Sequence, residues 1–327
     1  MKKFIVITTI NEKTRALAAY EQKQGWHTIV VGDKKSKPLE SGDHLTFLPV
    51  DDQQKLGFGL VNRLPFNHYA RKNIGYLYAM RAGADIIYDT DDDNIPYPDW
   101  EPEAFKCSNL IRCPDDFINI YSHFSSDYIW PRGFPLDLIS RRQTIVAEKS
   151  SPVNIGVWQG LTDKEPDVDA VYRLVINKPV TFERKPSVAL PVGKFCPFNS
   201  QNTLWSKEAF PFLYLPSTVG FRTTDIYRGY IAQRLLWTRG LHLGFHQACG
   251  FQERNPHELM DDFKDEIESF LNIKQIAAVL RQSEFPDHPL DGLSMAFQRL
   301  QAHRLVPVDE LSGVAAWLDD CHRILGV

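Results

Sequence analysis

A chain of 327 residues with 43% hydrophobic and 24% charged side chains can bury a large core, which excludes the disordered and fibrous classes. Its formal net charge of −4 argues against broad electrostatic binding to nucleic acid, and no apolar run approaches the length of a membrane-crossing helix. The five cysteines (Cys107, Cys113, Cys196, Cys249 and Cys321) are scattered, with no Cys-x-x-Cys pair, and fit reduced thiols rather than a disulfide framework or a zinc site.

In chain order, the β-branched run 4–9 is short and followed by charges, so it reads as a first strand and not a leader, giving a cytoplasmic expectation. Residues 13–24 then predict a helix with Leu17 and Tyr20 on one face. Residues 28–31 predict a second buried strand closed by Gly32-Asp33, and 45–48 a third. Ile74, Leu77, Tyr78 and Ala82 give 69–82 a helical spacing, Gly83 ends that helix, and 84–88 returns as a strand. Strands alternating with helices predict a mainly parallel, Rossmann-type mixed sheet covered on both faces. Ligands of such sheets bind beyond the carboxyl ends of strands, here at Thr9 to Asn11, Asp33 and the segment after residue 88. The proline- and aromatic-rich middle predicts strands at 117–120, 154–158, 180–183 and 202–205. A helix at 225–239 and a strand at 241–245 follow. Helical spacing then covers 256–271, 273–281, 290–303 and 308–325. The expected organisation is an α/β unit over 1–255 with a C-terminal helical region, 256–327.

The acidic run Asp89-Thr90-Asp91-Asp92-Asp93-Asn94 follows a hydrophobic strand. Four carboxylates in five positions repel one another unless a cation or solvent relieves them, and hard oxygen ligands suit Mg²⁺ or Mn²⁺. An EF-hand is excluded: its glycine position holds Asn94, its terminal glutamate position holds Trp100, and a strand precedes it. Neither Gly-x-Gly-x-x-Gly nor Gly-x-x-x-x-Gly-Lys-[Ser/Thr] occurs, which disfavours dinucleotide oxidoreductases and P-loop enzymes. A metal-held diphosphate without those loops is the arrangement of GT-A nucleotide-sugar glycosyltransferases, whose Asp-x-Asp motif would be Asp91-Asp92-Asp93. The competing reading is a solvated acidic turn.

Further blocks are Val6-Ile7-Thr8-Thr9-Ile10-Asn11, Arg71-Lys72-Asn73-Ile74-Gly75-Tyr76, Asp167-Val168-Asp169-Ala170, Phe221-Arg222-Thr223-Thr224-Asp225-Ile226-Tyr227-Arg228 and Arg254-Asn255-Pro256-His257. With the acidic run, and in this order over most of 4–270, they resemble the STELLO family of glycosyltransferases. More remotely they resemble the reversibly glycosylated polypeptides that act as UDP-arabinopyranose mutases. The resemblance implies a GT-A-like fold and a nucleotide-sugar donor, with UDP the expected nucleotide. Thr9, Asn11 and Asp33 would line the base and ribose, Lys72 and Asn73 the base and diphosphate. Asp91 would serve donor and metal, Asp93 the metal.

Inverting transfer needs a carboxylate to take the acceptor's proton. Asp225 begins a helix in which Gln233 and Trp237 follow, an order similar to processive inverting GT-A enzymes, although Leu236 replaces their usual arginine. Asp225 is the expected base and Asp169 the substitute; the bland reading of each is a helix-start acid. His257 is the expected further metal ligand, with His246 its rival, and Arg254 the cation on the diphosphate. The expected function is a Mn²⁺- or Mg²⁺-dependent, inverting transfer from a nucleotide sugar to a glycan or glycolipid acceptor. Peripheral membrane association is compatible with this, and no nucleic-acid partner is expected. A sugar-nucleotide mutase and a non-catalytic scaffold are the alternatives.

Overall fold

The computed structural model describes residues 1–253 and 258–326. The chain begins with β1 (Lys3–Thr8), α1 (Arg15–Glu21), β2 (Trp26–Val31), β3 (Leu45–Leu48), α2 (Val50–Lys55), α3 (Lys72–Arg81) and β4 (Ile86–Thr90). The middle contributes β5 (Asn94–Pro96), β6 (Lys106–Arg112), α4 (Tyr121–Phe124), β7 (Val146–Gly160), α5 (Ala170–Val175), β8 (Val188–Ala189) and β9 (Asn202–Ser206). It closes with α6 (Thr224–Thr238), β10 (Leu241–His246), β11 (Gly250–Gln252), α7 (Leu259–Gln282), α8 (Pro289–Ala302) and α9 (Glu310–Leu325).

The described residues form a nine-stranded sheet in the order β10-β8-β6-β7-β9-β4-β1-β2-β3. β4, β1, β2 and β3 run parallel, β9 pairs antiparallel with β4, and β7 antiparallel with β9. β5 and β11 make a separate two-stranded ribbon. Alternation along β1 explains the layering: Phe4 and Val6 enter one apolar core with α3 residues Ile74 and Leu77, while Ile5 and Ile7 enter the other with Leu17 and Tyr20 of α1. The fold is thus an α/β mixed sheet with helices on both faces and a helical C-terminal region.

Glycine decides how closely α3 approaches the sheet. A Cβ on Gly75 would lie 2.5 Å from Val6 Cγ1 and 2.8 Å from Val31 Cγ2. Only a residue without a side chain permits this helix–sheet distance.

Two expected strands reduce to single bridges. Phe117 pairs with Phe195 alone, because Pro197 next along the partner has no N–H to continue the ladder. Val180 pairs only with Lys164, and the backbone beyond turns to Asp163 and Phe124, with Phe182 N donating to the Asp163 carboxylate (2.8 Å). The helices expected at 256–271 and 273–281 are one continuous α7 over its described length. α7 packs on α5 and α6, α8 on α6, and α9 on α3 and the turn at Gly59–Asn62. Among the described residues no helix is long and apolar enough to cross a membrane.

Candidate active site

Beyond the carboxyl ends of β1, β2 and β4 lies a cleft of about 590 Å³. The first half of the chain supplies Thr9, Asn11, Asp33, Tyr69, Arg71 and the acidic loop. The middle and α6 supply Arg132, Asp167, Arg173, Gln201, Arg222 and Asp225.

The acidic loop is gripped from beneath by two buried cations. Lys72, the first residue of α3, places Nζ 2.7 Å from Asp89 Oδ1 and 3.1 Å from Asp91 Oδ1, and donates to the Thr90 carbonyl at 2.6 Å. Arg228 on α6 reaches Asp89 Oδ2 at 2.8 Å. Four formal carboxylate charges against two cations leave two negative charges, the complement of one divalent cation. Asp91 also accepts from the Tyr69 hydroxyl at 2.5 Å, and burial pushes its pKa up against the pull of Lys72. Asp92 accepts from the Thr9 hydroxyl and the Asn11 amide and so ties the acidic loop to the loop after β1.

Asp93 is different. Its Oδ2 accepts from Gln252 Nε2 at 2.8 Å, but its buried Oδ1 has no hydrogen-bond partner among the described residues. Burial, then the neighbouring Asp91, push its pKa up to about 7. An unsatisfied buried carboxylate oxygen is costly, and a divalent cation is a partner that would relieve it. Asp91 and Asp93 therefore fit an oxygen-ligated Mn²⁺ or Mg²⁺. No group of three His, Cys, Asp or Glu side chains among the described residues forms a preformed metal cluster. Two carboxylates with the remaining positions left to phosphate and water need no such cluster.

Asp33 sits at the end of β2, accepting from Lys34 N and His68 N, with Arg71 Nε 3.9 Å away. Ser36 donates to the Thr9 carbonyl at 2.5 Å and accepts from Asp33 N, so the loops after β1 and β2 are held to one another.

Arg132 organises the other part of the cleft. Its five N–H groups are all used. Nε and Nη2 donate to Asp167 (2.8 and 2.9 Å), Nη1 and Nη2 to Asp225 (2.9 and 2.7 Å), and Nη1 also to the Arg222 carbonyl. Two bidentate carboxylates on one guanidinium make a rigid, charge-assisted cluster of net charge −1. Burial alone would raise the pKa of Asp225, but the Arg132 guanidinium outweighs it and holds the carboxyl below the ordinary range.

Of the residues singled out from the sequence, Thr9, Asn11, Asp33, Asp91, Asp93 and Asp225 come together around this cleft. Lys72 lies beneath it. Asn73 is not brought there: its amide is buried against the backbone of Leu215, donating and accepting at 2.8 Å. Neither is Asp169, which is buried, caps α5 by accepting from Tyr172 N, and takes the Trp130 indole N–H at 2.6 Å. His246 lines a separate pocket with Glu103, its Nδ1 2.9 Å from the Gln247 carbonyl. Arg254 and His257 lie outside the described residues. Arg132, Asp167, Arg228, Tyr69 and Gln252 were not anticipated as site residues. The signal for Asp167 was its place in the Asp167-Val168-Asp169 block; for Arg132 there was none.

Comparison with known proteins agrees with the sequence blocks. A family model described as STELLO glycosyltransferases matches residues 222–286, which include Asp225, Arg228 and α7. Two Arabidopsis thaliana proteins are similar along the chain. The one named Probable glycosyltransferase STELLO2 is 28% identical over 98% of this chain and 44% of its own length. Probable glycosyltransferase STELLO1 is 32% identical over 73% of this chain and 34% of its own. The chain resembles these STELLO proteins. It spans less than half the length of those relatives. Among solved structures, the chain aligns with glucosyl-3-phosphoglycerate synthase from Mycobacterium tuberculosis in complex with Mn²⁺, UDP-glucose and phosphoglyceric acid. That alignment has a TM-score of 0.39 at 10% identity and covers 83% of this chain and 79% of that one.

Proposed function

We propose that the chain transfers a sugar from a nucleoside-diphosphate donor, UDP in our reading, to the hydroxyl of a glycan or glycolipid acceptor with inversion at the anomeric carbon. The observation that carries this reading is the Asp93 carboxylate, whose buried Oδ1 has no hydrogen-bond partner among the described residues, at a cleft that also holds the Arg132-bound aspartates. Similarity to proteins named as glycosyltransferases supports the reaction class.

In this reading Thr9, Asn11 and Asp33 hold the base and ribose, and Asp91 and Asp93 hold Mn²⁺ or Mg²⁺. The cation, when bound, neutralises charge developing on the departing diphosphate. Lys72 pulls against the burial of Asp91 and fixes its carboxylate in place. The base is an aspartate held by Arg132: Asp225, to which the sequence pointed, or its partner Asp167. The net negative charge of that cluster suits a sugar that becomes positive as its bond to the diphosphate stretches.

The test is a thermal-shift panel of nucleotide sugars with and without Mn²⁺, followed by turnover assays on any hit. Binding to the native state raises the melting temperature by mass action. We expect a rise with a UDP-sugar that requires Mn²⁺ and is lost in Asp93→Asn. Equal shifts in parent and variant would remove the metal assignment. Isomerisation of the donor without an acceptor would favour the mutase reading.

A further inference from the structure

We infer that Asp167 is the residue that takes the proton from the acceptor hydroxyl, and that Asp225 is a positioning residue that acts through Arg132. This rests on the glycosyl-transfer reading above.

An ionised carboxylate offers about four lone-pair sites. Those of Asp225 are filled: Oδ1 accepts from Arg132 Nη1 and Ile226 N, and Oδ2 from Arg132 Nη2 and Ser200 N. A group in that state has no site left for a hydroxyl proton. Among the described residues the carboxylate of Asp167 accepts three hydrogen bonds, Arg132 Nε on Oδ1 and Arg132 Nη2 and Asn199 Nδ2 on Oδ2, which leaves one lone pair of Oδ1 open to a ligand there. Asp167 lines the cleft and is the more open of the two, with 12% of its side chain exposed against 7% for Asp225.

The division of labour follows from the geometry. Asp225 sits at the start of α6, fixed by backbone N–H groups, and orients Arg132; Arg132 in turn orients Asp167. In the transfer, the acceptor oxygen forms its bond to the anomeric carbon while the bond from that carbon to the diphosphate oxygen breaks. The bonding pair leaves on the diphosphate, the hydroxyl proton moves to Asp167 Oδ1, and it passes to water after product release. No oxidant or further reactant is needed.

Asp167→Asn and Asp225→Asn would be compared with the parent for UDP-sugar binding, for transfer, and for the pH dependence of kcat/KM. Asp167→Asn is expected to bind the donor within a few-fold of the parent and to lose transfer by about 10²–10⁴-fold, with the acidic limb of the profile abolished. Asp225→Asn is expected to lose less and to keep that limb. The reverse pattern would place the base at Asp225 and overturn the inference. If Asp167→Asn does not fold, Asp167→Glu replaces it, and an acidic limb unmoved in Asp167→Glu would also overturn it. A parent protein that binds and turns over no nucleotide sugar overturns the underlying reading, and the assignment of Asp167 falls with it.

Discussion

Asp169 shows how one carboxylate can be structural while its neighbour two residues away lines the cleft. Burial pushes its pKa up to about 7, against the hydrogen bonds from Tyr172 N and Trp130 that favour the ionised form. A folded-state pKa above the unfolded value of 3.8 means the native state holds this proton more tightly. Its contribution to stability is full below about pH 4 and is lost as pH rises through about 7. Asp169→Asn removes that titration, so the variant should be more destabilised relative to the parent at pH 5 than at pH 8. Urea denaturation of both proteins at the two pH values measures this. From the sequence, Asp169 was the substitute base and Asp167 had no site role. The difference between them arises from partners distant along the chain: Arg132 for one, Trp130 for the other. Periodicity and spacing carry no record of such pairings. The acidic run was legible because it is local, four carboxylates within five residues at the end of a strand.

Among the elements, α3 does the most to position the site, since it presents Lys72 to the acidic loop and packs on β1 and β2. Its approach depends on Gly75, and Gly75→Ala should overpack the helix against Val6 and Val31. The expected loss is about 1–3 kcal/mol, read as a lower midpoint in chemical denaturation, and the displaced Lys72 should weaken the proposed nucleotide-sugar binding as well. Elements built on runs of β-branched residues or on clear helical spacing were legible: β1, β2, β3, α3, α6 and β10 lie within a few residues of expectation. β6 was not, because its sequence Lys-Cys-Ser-Asn-Leu-Ile-Arg has neither strict alternation nor an apolar run; it is a strand because β7 pairs beside it. The bridges at Phe117 and Val180 erred the other way. Their local composition favours strand, and a partner's proline or a side-chain acceptor ends the ladder.

At the level of the whole molecule, the C-terminal helices were legible as helices but not in where they seat. Glu310, the first residue of α9, is fully buried and accepts from the Tyr214 hydroxyl (2.5 Å), Ser217 N (3.0 Å), Thr218 N (2.8 Å) and the Thr218 hydroxyl (2.7 Å). It thereby fixes the connection that leads into Phe221, Arg222 and Asp225. At the other end of α9, Asp320 accepts from the backbone of Gly59 and Leu60. Glu310→Ala leaves several buried donors without an acceptor and should cost at least ~2 kcal/mol, with Glu310→Gln milder because it keeps one acceptor oxygen. Urea midpoints of the two variants measure the difference.

Arg132 has one more consequence, and it concerns how the chain assembles. Its two aspartates lie 35 and 93 residues further along the chain, so the cluster forms only after both loops have closed. Loop-closure entropy grows slowly with length, but it must be met before the contacts reward it. A half-formed cluster keeps one ion pair but leaves two of the guanidinium N–H groups partly desolvated without an acceptor, at a cost of about 1–3 kcal/mol or more for each. Intermediates that have docked 167 but not 225, or the reverse, are therefore disfavoured. The part of the cleft around Arg132 should be gained or lost as a single cooperative step.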